Sequence, residues 1–357
     1  MTLPKPRPDE AAYQTKLETG LQAFPARRAN WETYQRRAKT ARVDYLPIKM
    51  DYEIASRCNF KCVMCPVSTW PAGRRAEDTT FEQFNRSLDE QIGLVEVKLQ
   101  GAGEPMLNKD YFRMIELAHQ RHLWIRITTN GSLLSARENF RRVIDAGTDE
   151  INVSIDGSRS EIFEAIRKGS NFAQVVRGVE QMHGHCASLG ALRTRAWSVV
   201  QKGNVDDMES IVDLCASVGF PRVTFSLDVD GWGMDDWGNH MDEFTRPDAP
   251  PSQERLLELI PRGLAKGIEV TFWKNADKYE PVPAKCCEWP FERAYISSEM
   301  KISPCCTISN PDTYSLGDAV PFVKSWHGAD YEEFRRMHLE GRIPDVCKTC
   351  YNCKEHA

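Results

Sequence analysis

From Ile48 onward the chain alternates short runs rich in β-branched and apolar residues with longer stretches whose apolar positions recur every three to four residues. The first kind is IKMDYEI (48–54), VEVKLQG (95–101), WIRITT (124–129), EINVSI (150–155), RAWSVV (195–200) and RVTFSL (222–227). These runs predict strands. Between them DYFRMIELAHQRH (110–122), RENFRRVIDAG (137–147) and NVDDMESIVDLCASVG (204–219) predict helices, the last two stopped by Gly147 and Gly219. Strand–helix alternation of this length predicts right-handed βαβ units on a parallel sheet. Six units in a row predict an α/β fold built as a partial (β/α)6 TIM-like barrel. A last helix in SQERLLELIPRGLAKG (252–267) and a strand in IEVTFW (268–273) finish the core near Trp273.

The flanks have other patterns. Residues 1–47 are polar and rich in Arg, with RRANWETYQRRAKTAR at helical density. Two readings fit it: a helical extension packed outside the core, or an arm that binds RNA. Residues 228–251 are rich in Asp, Gly, Trp and Pro and show no helical period. The tail from about Ala284 holds seven of the twelve cysteines. The expected division is therefore an N-terminal extension (1–47), a core (48–273) and a small cysteine-rich domain (284–357).

Charge and cysteine content narrow the classes. A formal charge of -5 on 357 residues gives no broad grip on nucleic acid. The opening has no signal-like apolar region and no segment approaches bilayer length, so a cytoplasmic protein without membrane partners is expected. Thiols there are kept reduced, which favours metal or redox chemistry over a disulfide framework.

In such a barrel, function gathers where strands run into loops at the carboxyl face. The first strand is followed by RCNFKCVMCP (Arg57 to Pro66), the second by GAGEP (Gly101 to Pro105), the third by TNGS (Thr129 to Ser132), the fourth by SIDGS (Ser154 to Ser158) and the fifth by QKGN (Gln201 to Asn204). Cys58, Cys62 and Cys65 supply three thiolates, which suit iron–sulfur clusters or zinc. Structural zinc sites close four ligands. A four-iron cluster held by three thiolates keeps one iron open.

The spacing Cys58-x3-Cys62-x2-Cys65 resembles the signature of the radical S-adenosylmethionine (radical SAM) enzymes. The resemblance covers roughly residues 48–227 and again 284–353. It implies that SAM chelates the open iron and is cleaved reductively to a 5'-deoxyadenosyl radical, which removes hydrogen from a substrate C–H bond. It also implies an electron donor such as flavodoxin or ferredoxin. Gly101, Gly103 and Glu104 are similar to the family's Gly-Gly-Glu turn, with Glu104 holding the SAM amino group; Ala102 departs from the strict motif. By the same resemblance Ser154, and Asp156 beside it, contact the ribose or carboxylate. Asn130 borders the site. Met64 and the segment Val199 to Asn204 meet the adenine.

The tail reads KCCEWPFERAYISSEMKISPCC, then VCKTCYNCKEHA, and resembles the SPASM and twitch domains that bind auxiliary four-iron clusters. The run of cysteines needed for two such clusters is missing, so two 4Fe-4S clusters in all are expected, one of them SAM-binding. The resemblance points to Cys287, Cys305, Cys347 and Cys350 as ligands, with Cys286, Cys306 and Cys353 as competitors. A zinc site on the same pairs is the alternative. A fully ligated cluster suits electron acceptance and net oxidation, whereas a spare thiol, Cys306 or Cys353, suits hydrogen return and epimerisation.

For substrate, Asp228, Asp230, Asp235 and Asp236 offer carboxylates, and Trp232 and Trp237 flat faces, to a sugar-like or aminocyclitol small molecule. The same residues also suit a solvated loop with its Trp packed beneath. A second enzymatic reading is a maturase of a ribosomally made peptide, against which residues 1–47 look short and strand-poor for a leader-binding unit. A reading outside enzymes is a zinc or iron–sulfur RNA-binding protein.

Overall fold

Each of those β-rich runs becomes a strand of one sheet in the computed structural model, which describes residues 2–69, 77–229, 234–275 and 286–351. In chain order the strands are β1 (Lys49–Glu53), β2 (Lys61–Cys62), β3 (Glu96–Gln100), β4 (Trp124–Thr129), β5 (Glu150–Ser154), β6 (Arg167–Lys168), β7 (Thr194–Val199), β8 (Arg222–Ser226), β9 (Glu269–Trp273), β10 (Arg293–Ile296) and β11 (Ile302–Ser303). The helices are α1 (Glu10–Ala23), α2 (Pro25–Gln35), α3 (Phe81–Glu90), α4 (Tyr111–Gln120), α5 (Asn139–Asp145), α6 (Ser160–Ile166), α7 (Phe172–Ser188), α8 (Met208–Ser217), α9 (Asp235–Phe244), α10 (Gln253–Ala265), α11 (Trp289–Glu292), α12 (Phe322–Trp326), α13 (Ala329–Leu339) and α14 (Lys348–Tyr351).

The main sheet runs β11-β10-β1-β3-β4-β5-β7-β8-β9. All neighbours are parallel except β10 and β11. Two strands therefore extend the six-unit barrel on its parallel edges. β9 was expected; β10 was not, because the cysteine-rich tail begins by pairing with β1, Lys49 opposite Arg293. The tail thus shares the core sheet before it turns away at β11.

Alternation along the strands assigns two faces. Met50, Tyr52, Val97, Leu99, Ile125, Ile127, Ile151 and Val153 are fully buried toward the helices. Tyr52 packs edge-on against Phe84 of α3 at 4.9 Å and shares a 2.6 Å hydrogen bond with Ser87. The other face encloses a lumen and is charged. There Arg293 pairs with Asp51 (2.8 Å) and Glu96 (3.2 Å), Arg126 with Glu96 (3.2 Å) and Glu150 (3.5 Å), and Arg195 with Glu150 (3.6 Å). This ladder of alternating sign ties β10, β1, β3, β4, β5 and β7 together across the floor.

The basic N-terminal segment forms α1 and α2, which cover the amino ends of the strands, away from the loops named above. Tyr13 sits edge-on to Trp124 at 5.2 Å, Lys16 pairs with Asp149, Arg27 donates to the Arg121 carbonyl, and Tyr34 donates to Glu292. Lys16 and Arg27 are thus tied to the core, as a packed extension requires. Phe272 donates to the Pro4 carbonyl, so the chain start covers the β9 edge. Helix α9 occupies residues expected to lack helical period; Trp237 and Met241, one turn apart, bury the same face. Among the described residues no helix is long and apolar enough to cross a membrane.

Glu96 sits at the middle of the ladder. Burial alone would raise its carboxyl, but the guanidinium groups of Arg293 and Arg126 bring it down to about 2. A depressed carboxyl contributes stability above its unfolded pKa and loses it as pH falls toward the folded value. Glu96→Gln is expected to lower unfolding free energy at pH 7 by about 3 kcal/mol. In urea melts, the gap from wild type is expected to close between pH 4.5 and about 2.

Candidate functional site

After β1 the chain enters the loop bearing Cys58, Cys62 and Cys65. β2 pairs antiparallel with β6, setting Cys62 opposite Arg167, and Val63 donates to the Ile166 carbonyl. The loop is also tied to the turn after β3, since Gly103 and Glu104 donate to the carbonyls of Ala55 (3.2 Å) and Arg57 (3.0 Å). A Cβ on Gly103 would stand 2.2 Å from the Arg57 oxygen, and one on Gly101 2.5 Å from Glu53 Cγ. Both glycines are there because the cysteine loop and β1 pass against them.

Donors surround the thiols. Phe60 N lies 3.4 Å from Cys58 Sγ, Asn130 Nδ2 3.8 Å from the same sulfur, and Arg167 Nη1 3.9 Å from Cys62 Sγ. Burial pushes these thiols up, Cys62 to about 11 and Cys65 to about 12, with Cys58 moved the same way. Binding of a metal centre as thiolates must therefore release protons. N–H groups aimed at the sulfurs suit that anionic state and tune a cluster's potential. The residues present fit a thiolate-held cluster.

Glu104 is buried beneath the loop. It accepts from Thr129 Oγ1 (2.8 Å) and Met106 N (3.2 Å) on one oxygen and from Asn130 N (2.7 Å) on the other. The second oxygen retains a lone pair for a further donor. Burial, only partly offset by those donors, raises its carboxyl to about 7. Asn130 also donates to Asn59 (2.9 Å), and Asn59 to Ser132 Oγ (2.9 Å). First, second and third turns are thus one hydrogen-bonded unit.

The fourth and fifth turns close the ring. Asp156 pairs with Arg167 at 2.7 Å and accepts from Val199 N at 2.8 Å, which places it as the anchor of Arg167 rather than at an open surface. Ser154 faces the lumen at the end of β5. Asn204 donates to the carbonyls of Asp156 and Val199 and accepts from Gln201 N; its amide shapes the 199–204 turn. Met64 is buried in the core beside the loop.

In the tail, Cys287, Cys305, Cys347 and Cys350 line one small cavity, walled by Trp289, Pro290, Pro304, Ile308 and Phe334. Those are the four expected ligands. Cys286 and Cys306 are not on its lining, and Cys353 lies outside the described residues. His338 is also there, its Nε2 3.8 Å from Cys347 Sγ and its Nδ1 2.7 Å from Tyr351 OH, which accepts from Cys287 N. Among the described residues no three His, Cys, Asp or Glu side chains are placed to hold a single metal ion. The thiols surround a space, and that suits a cluster.

Cys306 lies instead in the neighbourhood of Lys98 of β3. Of the expected substrate residues, two have described side-chain contacts, and both are engaged elsewhere. Asp228 accepts from Asn275 N, Trp237 is buried against His240, and Asp230 and Trp232 lie outside the described residues. Asp235 begins α9. Sequence reasoning missed Asn59, Arg167, His338 and Tyr351. Arg167 had one signal, its place just ahead of Gly169, whose φ of +86° marks a turn back onto the cysteine loop.

Two family models match the chain. The radical SAM superfamily covers residues 52–188, and the SPASM iron-sulfur cluster-binding domain covers residues 286–354. The mycofactocin maturase MftC of Mycolicibacterium smegmatis is 25% identical over 63% of this chain and 53% of its own length. The GTP 3',8-cyclase of Nautilia profundicola is 30% identical over 48% of this chain and 54% of its own. Against these relatives the chain spans about half their length. The PqqA peptide cyclase of Rhodopseudomonas palustris is 24% identical over 85% of this chain and 79% of its own. Among solved structures, Streptococcus suis SuiB bound to precursor peptide SuiA shares the fold at TM-score 0.59 and 14% identity, over 88% of this chain and 70% of that one.

Two outcomes are expected from this geometry. Cys305→Ala or Cys347→Ala should reduce reconstituted iron from about eight to about four per chain, while Cys286→Ala and Cys306→Ala keep the full content in an iron assay. The ionised Glu104 accepts donors on both oxygens, so SAM affinity in equilibrium dialysis should rise as pH passes upward through about 7. Glu104→Gln should bind more weakly and lose most of that rise.

Proposed function

The chain belongs to the radical SAM superfamily and carries a C-terminal SPASM iron–sulfur domain, and from that premise we propose that it is a maturase that modifies a ribosomally made peptide. The observation that carries this reading is the match to a peptide cyclase along 85% of the chain and 79% of that protein's own length. The aminocyclitol reading rested on the acidic, Trp-bearing loop, whose described members are committed elsewhere: Asp228 to a backbone amide and Trp237 to the core.

When bound, the four-iron cluster and SAM supply hydrogen-atom abstraction from an unactivated C–H bond. Cys58, Cys62 and Cys65 hold that cluster, Arg167 and Asn130 donate toward its sulfurs, and Glu104 receives the SAM ammonium. The turn at 199–204 and Met64 would border the adenine, and Ser154 would meet the ribose or carboxylate. Cys287, Cys305, Cys347 and Cys350 hold the auxiliary cluster as electron acceptor. Cys306 is the described thiol on the lumen side and the candidate for hydrogen return. Flavodoxin or ferredoxin supplies the electrons.

The test offers SAM, dithionite and the anaerobically reconstituted enzyme to peptides encoded by short reading frames beside its gene, with aminocyclitols as comparators, in heavy water. The reading predicts a peptide whose mass changes together with deoxyadenosine release. A loss of two hydrogens marks oxidation, and one solvent deuterium marks hydrogen return. Oxidised aminocyclitol with every peptide unchanged would overturn the peptide reading.

A further inference from the structure

Among the described residues, the charged floor of the lumen closes on itself and leaves one cation over. Asp51 is held by Arg293, Glu96 by Arg293 and Arg126, and Glu150 by Arg126 and Arg195. Glu53, higher on β1, accepts from Ser298 N and Oγ and from Ala102 N. At the β8–β9 end, Glu269 takes Arg222. Lys98 stands among them on the lumen face of β3, between Val97 and Leu99 that point to the helices. Its side chain makes no hydrogen bond or ion pair with any described residue. It is half-buried, so its amine opens onto the lumen.

Its position relates it to the chemistry. Lys98 lies three residues before Gly101, on the strand that leads directly to Glu104. Cys306 of the tail lies near it. Three and five strands along the sheet, Trp197 of β7 and Trp273 of β9 face the same lumen, half-buried, with ring centroids 6.5 Å apart. One wall of the chamber thus offers an unpaired ammonium and the far wall two aromatic faces. Burial and the nearby guanidinium groups of Arg126 and Arg293 disfavour the charge of Lys98, opposed by Asp51 and Cys306. A cation held among like charges without an anion of its own is stabilised by any carboxylate brought to it.

We infer that Lys98 is a substrate-docking residue: it binds the side-chain carboxylate of an Asp or Glu of the peptide, and so selects acidic substrates and sets which residue is presented to the SAM site. This rests on the peptide reading above and names its substrate class. Trp197 and Trp273 pack the neighbouring side chain on the opposite wall. Lys98 acts by position and charge and takes part in no bond-making step.

The test uses SAM-loaded holoenzyme with both clusters in three forms: wild type, Lys98→Met and Lys98→Glu, each checked for iron content. A peptide library capped at both ends, so that only side chains carry carboxylates, is passed over each form and the retained peptides are sequenced. Wild type should enrich Asp or Glu over Asn or Gln at one position by about tenfold. Lys98→Met should lose that preference, and Lys98→Glu should turn it toward Lys or Arg. Acid enrichment that survives in both variants, or peptides retained by wild type with no acid preference, overturns the assignment while leaving the peptide reading intact. If no form retains any peptide, the peptide reading falls, and titration with glutarate against glutaramide decides Lys98 by itself. Glutarate binding weakened about tenfold in Lys98→Met supports the assignment; glutarate binding absent from wild type or equal in the two overturns it.

Discussion

Charge inside a barrel is tolerated only when each ion finds an opposite one, because removal from water costs each several kcal/mol. That constraint organises this protein. The lumen faces of β1, β3, β4, β5, β7 and β10 carry charged residues where a filled barrel would carry Val, Ile and Leu. The ladder from Asp51 to Arg195 is what lets the inner wall stay polar. It is also why the cysteine-rich tail returns to the core: Arg293 of β10 neutralises both Asp51 and Glu96, so the tail's first strand completes the floor.

Above that floor, the reactive end is held by backbone contacts and short polar side chains. Gly103 brings the second turn against the cysteine loop closely enough for two hydrogen bonds between backbones. Glu104, Asn130 and Asn59 carry the connection to the third turn. Arg167, held by Asp156, approaches the loop from the other side. Displacement of one turn would be felt by the others, which gives the three thiols a fixed spacing before any metal arrives. The tail cavity is built differently, from apolar walls with thiols set into them.

Much of this was legible in the sequence. Strands β1, β3, β4, β5, β7, β8 and β9 follow from β-rich runs, and the cysteine trio and its companion turns follow from where those runs end. The four cysteines on the tail cavity are those that the family resemblance singled out. Other features were not legible for physical reasons. In KMDYE the alternation of charged and apolar residues looks like a strand with one face in water; that the polar face turns into a closed lumen depends on distant strand partners, Glu96 and Arg293, which lie opposite Lys49. Strand β10 was hidden because its partner lies across the whole core. Trp237 reads as a binding face until α9 forms and buries it, and Arg167 carries no motif because its role comes from the strand pair with Cys62.

The central claim is that Cys58, Cys62 and Cys65 leave one iron for SAM at the mouth of this polar lumen. The most direct measurement is electron–nuclear double resonance on the reduced holoenzyme loaded with SAM carrying nitrogen-15 in its amino group and oxygen-17 in its carboxylate. The account predicts hyperfine coupling of both labels to a cluster that is absent in Cys62→Ala and present in Cys305→Ala. Labels that show no coupling with the first cluster intact, or coupling that disappears only with the tail cysteines, would contradict it.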